Sequence, residues 1–115
     1  MKVIYISSPY SIGDVGENVS RHMEAANIVM NIGHCPIAPL LTHFMHICRP
    51  RPYEDWMTCD LELVKRCDIV WRLPGESKGA DREAEAAKAA GIPVVHDFAS
   101  LQDLIWSFGV EVPAT

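Results

Sequence analysis

Short apolar runs alternate along this chain with longer stretches in which apolar residues recur at helical spacing. Val3-Ile4-Tyr5-Ile6-Ser7 is a run of the first kind and predicts a strand, with Ser7-Ser8-Pro9-Tyr10-Ser11 as the polar turn that leaves it. A loop through Gly13 and Gly16 leads to a helix over residues 17–31. Its expected inner face is Val19, Met23, Ala26, Val29 and Met30, and Gly33 is its C-cap. Pro36-Ile37-Ala38-Pro39 is a weak second strand, and its flanking prolines place it near an edge. Residues 40–52 show no period and are expected to be irregular, a connection of a length that usually carries function in a small domain.

The second half repeats the alternation. Residues 53–67 predict a helix, 68–73 a third strand and 74–77 its outgoing loop. A helix entered through Ser77-Lys78-Gly79 closes at Gly91, residues 92–96 form a fourth strand, and residues 100–106 a last short helix N-capped by Ser100. Alternation of this kind predicts an α/β fold: a parallel sheet with right-handed crossovers and helices on both faces. In such sheets ligands bind beyond the carboxyl ends of the strands. The turn after residue 7 and the loop after residue 73 both belong to that edge.

Two carboxylates break the pattern. On the helix over residues 53–67, Trp56, Met57, Leu63, Val64 and Cys67 share one face and Asp60 projects between them, whereas Glu54, Glu62, Lys65 and Arg66 point away. A carboxylate aimed at a core is paired, protonated or in a polar cavity, because burying it unpaired costs several kcal/mol, roughly, or shifts its pKa. Asp60 is therefore expected to line a pocket. On the following helix the small apolar face is Ala80, Ala84, Ala87 and Gly91, with Glu83 at its border and Asp81, Glu85 and Lys88 toward solvent. Placed in a first helical turn, Glu83 is expected to be ionised at neutral pH, a state suited to a nucleophile. Each acid alone also has an ordinary reading: Asp60 as a structural cap on a neighbouring loop, Glu83 as one more solvated residue of an Ala/Glu-rich helix. Trp56 likewise reads most simply as core.

Length and composition narrow the classes. The 115 residues make one domain, 1–115, and the hydrophobic fraction of 49% with 22% charged is ordinary for a globular protein. No apolar run reaches the ~18 residues of a membrane span, and the first residues pass directly into strand pattern rather than a signal peptide, so the expected location is the cytoplasm. A formal charge of -5 argues against polymeric nucleic acid as partner. The cations Arg49, Arg51, Lys65, Arg66, Arg72, Lys78 and Arg82 still leave room for a small phosphorylated ligand.

Cys35, Cys48, Cys59 and Cys67 form no CxxC pair, so reduced thiols are expected. Cys59 and Cys67 on one helix are about 12 Å apart, too far for a disulfide. His43, His46 and Cys48 are the one metal-like cluster, but their spacing fits no zinc pattern, so no metal is expected. There is no GxGxxG and no P-loop, which speaks against a dinucleotide site. Ser77 with the free N–H groups of Gly79 and Ala80 makes a candidate anion nest.

Three pieces, in this order and spacing, resemble the nucleoside 2-deoxyribosyltransferase-like superfamily. They are Tyr5-Ile6-Ser7-Ser8-Pro9-Tyr10; Asp60-Leu61 followed by Cys67-Asp68-Ile69-Val70; and Ser77-Lys78-Gly79 followed by Glu83, Ala87 and Gly91-Ile92-Pro93-Val94. The Gly33-to-Pro39 segment and the shortness of the chain look most like the small uncharacterised members of the superfamily, often from phages or bacteria, and the superfamily also contains nucleoside 5'-monophosphate N-glycosidases. The resemblance covers about residues 3–96. It implies a Rossmann-like, flavodoxin-like three-layer sandwich around a four- to five-stranded parallel sheet, and cleavage of the N-glycosidic bond between a base and a (deoxy)ribose, by transfer or by hydrolysis. Carried over residue by residue, Glu83 is the nucleophile, Asp60 the acid that assists the leaving base or holds the sugar, and Tyr5 the hydroxyl that orients the Glu. Ser7, Ser8, Pro9, Ser77 and Gly79 fall at substrate-binding positions, Ser77 at one used for phosphate. The implied partner is a small-molecule nucleoside or nucleotide, with no cofactor. A homodimer or homotetramer is implied too, because a neighbouring subunit often supplies a polar residue; residues 95–100 are the nearest match to that region. The base-reading loop falls within residues 11–16 or 40–53.

Elementary chemistry agrees with this resemblance. Departure of a base leaves oxocarbenium-like charge on the sugar carbon, which an ionised carboxylate can stabilise or trap, and the base leaves more easily when protonated by a second carboxyl of raised pKa. Two other readings stay open at this stage: a non-catalytic nucleotide-binding or sensing module on the same fold, and a metal protein built on His43, His46 and Cys48.

Overall fold

The computed structural model describes residues 1–109. Strand β1 (Val3–Ser7) lies inside a four-stranded sheet of order β2-β1-β3-β4, in which β2 is Cys35–Ile37, β3 is Ile69–Arg72 and β4 is Val94–Val95. All three pairings are parallel, and the register sets Tyr5 beside Val70 and Ser7 beside Arg72. β2 is an edge strand, where a proline costs no internal ladder bond.

Five α-helices connect and cover the strands: α1 (Val15–Asn31), α2 (Thr42–Cys48), α3 (Tyr53–Val64), α4 (Lys78–Ala89) and α5 (Phe98–Ser107). Successive strand residues face opposite sides of a sheet. Ile4 and Ile6 thus enter one core with Ala25 and Val29 of α1 and Leu101 and Ile105 of α5. Tyr5 enters the other, with Val64 at the end of α3, Val70 and Ala87 of α4. The result is the three-layer α/β sandwich that the alternation predicts.

Local details differ from the sequence expectations. The inner face of α1 is Asn18, Val19, His22, Ala25 and Val29, while Met23 and Met30 are 43% and 64% exposed. Two polar residues occupy the buried stripe because the loops beside it supply their hydrogen-bond partners, so hydrophobicity alone picks the wrong edge of the helix. Gly33 does follow the helix with φ +86°, and the N–H of His34 reaches back to the Val29 carbonyl. Residues 40–52 are not wholly irregular: a 3-10 turn over Pro39–Leu41 runs into α2, which buries none of its residues. Without a buried stripe α2 has no helical period to detect, and Phe44, Met45 and Ile47 point outward.

Helix α3 ends at Val64, before Cys67, and Leu63 is exposed rather than inward-facing. Helix α5 starts earlier than expected, because Asp97, not Ser100, is its N-cap: the Asp97 side chain accepts the Ser100 N–H at 2.7 Å. Among the described residues no helix is long and apolar enough to cross a membrane.

Candidate active site

The sheet's period of two aims Tyr5 and Ser7 at the same layer, the one that holds α3 and α4. Both reach Glu83. The Tyr5 hydroxyl donates to Glu83 Oε2 and the Ser7 hydroxyl donates to Oε1 at 2.7 Å, all three residues being buried. Ser7 Oγ also lies 3.3 Å from the Ala80 carbonyl, so its single proton has a second acceptor when Glu83 is protonated. Tyr5 has no such choice. Burial first, then the carboxyls of Glu83 and Asp60, push its phenol far above the ordinary value, which keeps it a donor.

Helix α4 is held in register for this contact. Ser77 caps it, accepting the Ala80 N–H at 3.1 Å. Arg72, buried at the end of β3, donates to the Gly75 carbonyl at 2.9 Å and to Asp81 Oδ1 at 3.0 Å, tying the outgoing loop to the first turn of the helix. Gly75 sits at φ +119°, and a Cβ there would stand 2.8 Å from Pro9 Cγ. The loops after β1 and β3 therefore touch only because position 75 has no side chain.

Glu83 opens on a cavity of about 570 Å³, within the range of small-molecule sites. Asp60 stands in its wall from α3, and Trp56 and Met57 lie beside it. Ser8, Ser77 and Gly79 line the cavity as well, and His43 and His46 close it from α2. Tyr10, Tyr53 and Trp56 give it aromatic surface of the kind a planar base stacks on. Burial is the main cause that pushes Glu83 up to about 7; the Tyr5 and Ser7 hydroxyls and Arg72 pull it down, and Asp60 pushes it further up. Burial also raises Asp60 to about 6, against an opposing hydrogen-bonding contribution from Glu83. Two carboxyls that influence each other in this way titrate as a pair, and the pair holds one proton through part of the neutral range.

These placements correct several expectations. Glu83 lies in the second turn of α4, beyond reach of the helix's unpaired N–H groups, and its pKa is raised, so the helix dipole is not what makes it an acceptor. The anion nest at Ser77 is partly closed, because Ser77 Oγ takes the Ala80 N–H for itself. Pro9 packs under Gly75 and is not part of the cavity wall. Tyr5 also stays behind Glu83, acting through it. Trp56 is half-buried in the wall rather than core, and its indole N–H donates to His46 Nδ1 at 2.9 Å. His43 Nδ1 meets the Tyr10 hydroxyl at 2.5 Å, and Cys48 is exposed away from both imidazoles' cavity. Among the described residues no group of three His, Cys, Asp or Glu side chains is arranged to hold a metal ion.

Sequence reasoning missed the polar face of α1. Asn18 donates to the carbonyls of Tyr10 and Ile12, both at 2.9 Å, and fixes the loop that rims the cavity. His22, with no exposed surface, hydrogen-bonds the Ser8 hydroxyl through Nδ1 at 2.7 Å. Burial holds its pKa down to about 4, so it is neutral, with the Ala38 carbonyl pulling the other way. Polar residues spaced i and i+4 beside Val19 and Ala25 were the available signal.

A family model described as a domain of unknown function, DUF7768, matches residues 2–97. No curated protein matches the chain. Among solved structures, the 2-deoxyribosyltransferase of the psychrotolerant bacterium Bacillus psychrosaccharolyticus is similar with a TM-score of 0.60 and 24% identity, over 82% of this chain and 70% of that one. The Clostridium botulinum CMP N-glycosidase BcmB is similar with a TM-score of 0.53 and 16% identity, over 83% of this chain and 67% of its own. At these identities the likeness establishes a shared fold with each of these two proteins.

Proposed function

The chain belongs to the DUF7768 family, and from the cavity its fold builds we propose that it cleaves or transfers the N-glycosidic bond of a nucleoside or nucleoside 5'-monophosphate. The observation that carries this reading is a buried glutamate, Glu83, gripped by two hydroxyls, with a second raised carboxyl, Asp60, in the wall of the same cavity. The 2-deoxyribosyltransferase and the CMP N-glycosidase that share the fold lend it support.

The reactive arrangement has Glu83 ionised, with Tyr5 and Ser7 both donating to it, and the pair's one proton on Asp60; because Glu83 holds a proton more tightly than Asp60, this is the minority form of the singly protonated pair. A Glu83 oxygen attacks the anomeric carbon of the sugar as the bond to the base breaks. The bonding pair leaves with the base, and the Asp60 proton neutralises it. The sugar remains as an ester of Glu83. Water then attacks the same carbon and gives the free sugar, or a second base attacks and gives a new nucleoside; the proton lost by the attacking group returns to Asp60. Tyr5 and Ser7 are positioning residues in this scheme, since they hold Glu83 without lining the cavity. No cofactor enters any step.

Ser8, Ser77 and Gly79 are the wall residues assigned to substrate. The outward apolar face of α2, with Phe44, Met45 and Ile47 exposed beside the cavity, supports assembly as a homodimer or homotetramer. The deciding experiment incubates the protein with a panel of nucleosides and 5'-monophosphates, with and without a second base, and resolves products by chromatography. Free base, or an exchanged nucleoside, is expected from the wild type and not from Glu83→Ala. Release of base by Glu83→Ala at the wild-type rate would remove the mechanism.

A further inference from the structure

His22 is a fully buried, neutral imidazole that the scheme above does not use, yet it stands in the cavity wall and ties two loops together. Its Nε2 receives the Leu40 N–H at 3.3 Å. That N–H belongs to the first residues of the Pro39–Leu41 turn, where backbone donors have no partner within the helix. The Ala38 carbonyl, which accepts the Leu41 N–H at 3.0 Å, lies close enough to raise the pKa of the ring, but the Leu40 N–H is the one group among the described residues in hydrogen-bond geometry with Nε2. Nε2 is therefore the acceptor nitrogen, and the ring proton belongs on Nδ1, which is 2.7 Å from Ser8 Oγ. Ser8 accordingly accepts from the imidazole. Its own proton finds no acceptor among the described residues, and Ser8 lines the cavity.

We propose that His22 is a positioning residue that turns the Ser8 hydroxyl into a one-way donor aimed into the cavity, there to meet an acceptor oxygen of the bound substrate. The assignment rests on the cavity being the substrate site. A serine hydroxyl ordinarily rotates between donating and accepting. Here the buried Nδ1–H occupies a lone pair and leaves the hydroxyl proton facing the open side. Sequence alternation explains the arrangement: Ser7 points to α4 and holds the nucleophile, while Ser8, the next residue, points to α1 and is left to the ligand. The Asn18–His22 face of α1 thus sets both the rim loop and the polarity of one wall group.

Two measurements test this. Side-chain 15N spectra of the free protein, assigned with His22→Asn as the blank, are expected to show His22 with its proton on Nδ1 and a bare Nε2 across neutral pH. A proton on Nε2 would overturn the proposal, whatever the protein's activity. Kinetics are then measured with whichever nucleoside or 5'-monophosphate of the panel releases base. Ser8→Ala and His22→Phe are each expected to raise KM about tenfold, the loss of one oriented donor, with the loss falling on KM rather than kcat. The double variant is expected to lose no more than either single one. His22→Asn, which presents an amide N–H where Nδ1–H stood, is expected to recover part of the KM lost in His22→Phe. A Ser8→Ala protein with the wild-type KM would sink the proposal. A panel that yields no base at all counts against the glycosidic reading, and the 15N tautomer still decides the assignment of His22.

Discussion

Tyr5 and Glu83 stand 78 residues apart in the chain and meet in a buried hydrogen bond, the strand hydroxyl donating to the helix carboxylate. The contact exists because β1 lies inside the sheet and α4 covers the face toward which odd-numbered β1 residues point. Tyr5→Phe keeps the ring in its core and deletes only that donor. A hydrogen bond to a charged group contributes about 1.5–3 kcal/mol, so base release is expected to fall about 10- to 100-fold with the fold retained. Glu83→Ala is expected to lose more than about 10³-fold, as removal of a nucleophile does. Chromatographic rates with a common substrate, alongside circular dichroism, check both.

The acid pair predicts the shape of the pH–rate profile. The groups facing Glu83 are Tyr5, Ser7, Asp60 and Arg72. The active form carries one proton on the pair, so base release is expected to fall in acid, as the pair takes up a second proton, and in alkali, as it loses its last one. Asp60→Asn removes one titration. It is expected to lower the rate about 10²- to 10⁴-fold and to leave a profile that rises with pH and then stays level. A descending alkaline limb surviving in Asp60→Asn would show that another acid protonates the base.

The same raised values make the site a cost to stability. Glu83 is raised from 4.5 to about 7 in the folded protein. The folded state then binds more protons than the unfolded state between those values, and stability falls as pH rises through that window. Below about 4.5 the full stability is present; above about 7 it is lost. Glu83→Gln carries no charge to bury, so it is expected to be more stable than wild type at pH 8, by about 1–3 kcal/mol, with the gap closing toward pH 4. Urea unfolding at the two pH values reads this directly. A gap that widened on acidification would contradict the sign.

Gly75 links the loops after β1 and β3. Gly75→Ala must accommodate φ +119° and a Cβ 2.8 Å from Pro9 Cγ. A loss of about 1–3 kcal/mol of stability is expected from the backbone conformation alone. Gly91→Ala, also at positive φ but with nothing within 4 Å of the added carbon, is the comparison that separates conformational strain from the Pro9 collision. Thermal melts of the two variants provide it.

Much of this was legible in the chain. The apolar run of β1 and the alanines Ala80, Ala84 and Ala87 of α4 are buried as their period says, because burial of apolar surface dominates those segments, whereas the expected stripe of α3 is buried within the helix only at Met57 and Val64. Asp60 and Glu83 stood out for the same reason, as charges set on apolar faces. What failed did so where hydrophobicity was not the deciding term. The inner face of α1 holds Asn18 and His22, whose burial is balanced by loop partners that no local pattern reveals. Helix α2 buries nothing and so has no stripe to read. Asp97 displaced Ser100 as the cap of α5 because the two offer similar cap chemistry three residues apart.

The sequence by itself determined the alternation of strands and helices, hence the parallel α/β sheet, and the two acids whose positions contradict their faces. Only the tertiary structure decided which groups those acids meet. Tyr5 and Ser7 became the grip on Glu83, Ser8 passed to His22, and Pro9 passed to Gly75, because the period-two geometry of β1 divides neighbouring residues between layers that are built from distant parts of the chain. Periodicity is a local property and survives in one dimension, whereas hydrogen-bond partners and desolvation depend on which segments the fold brings together.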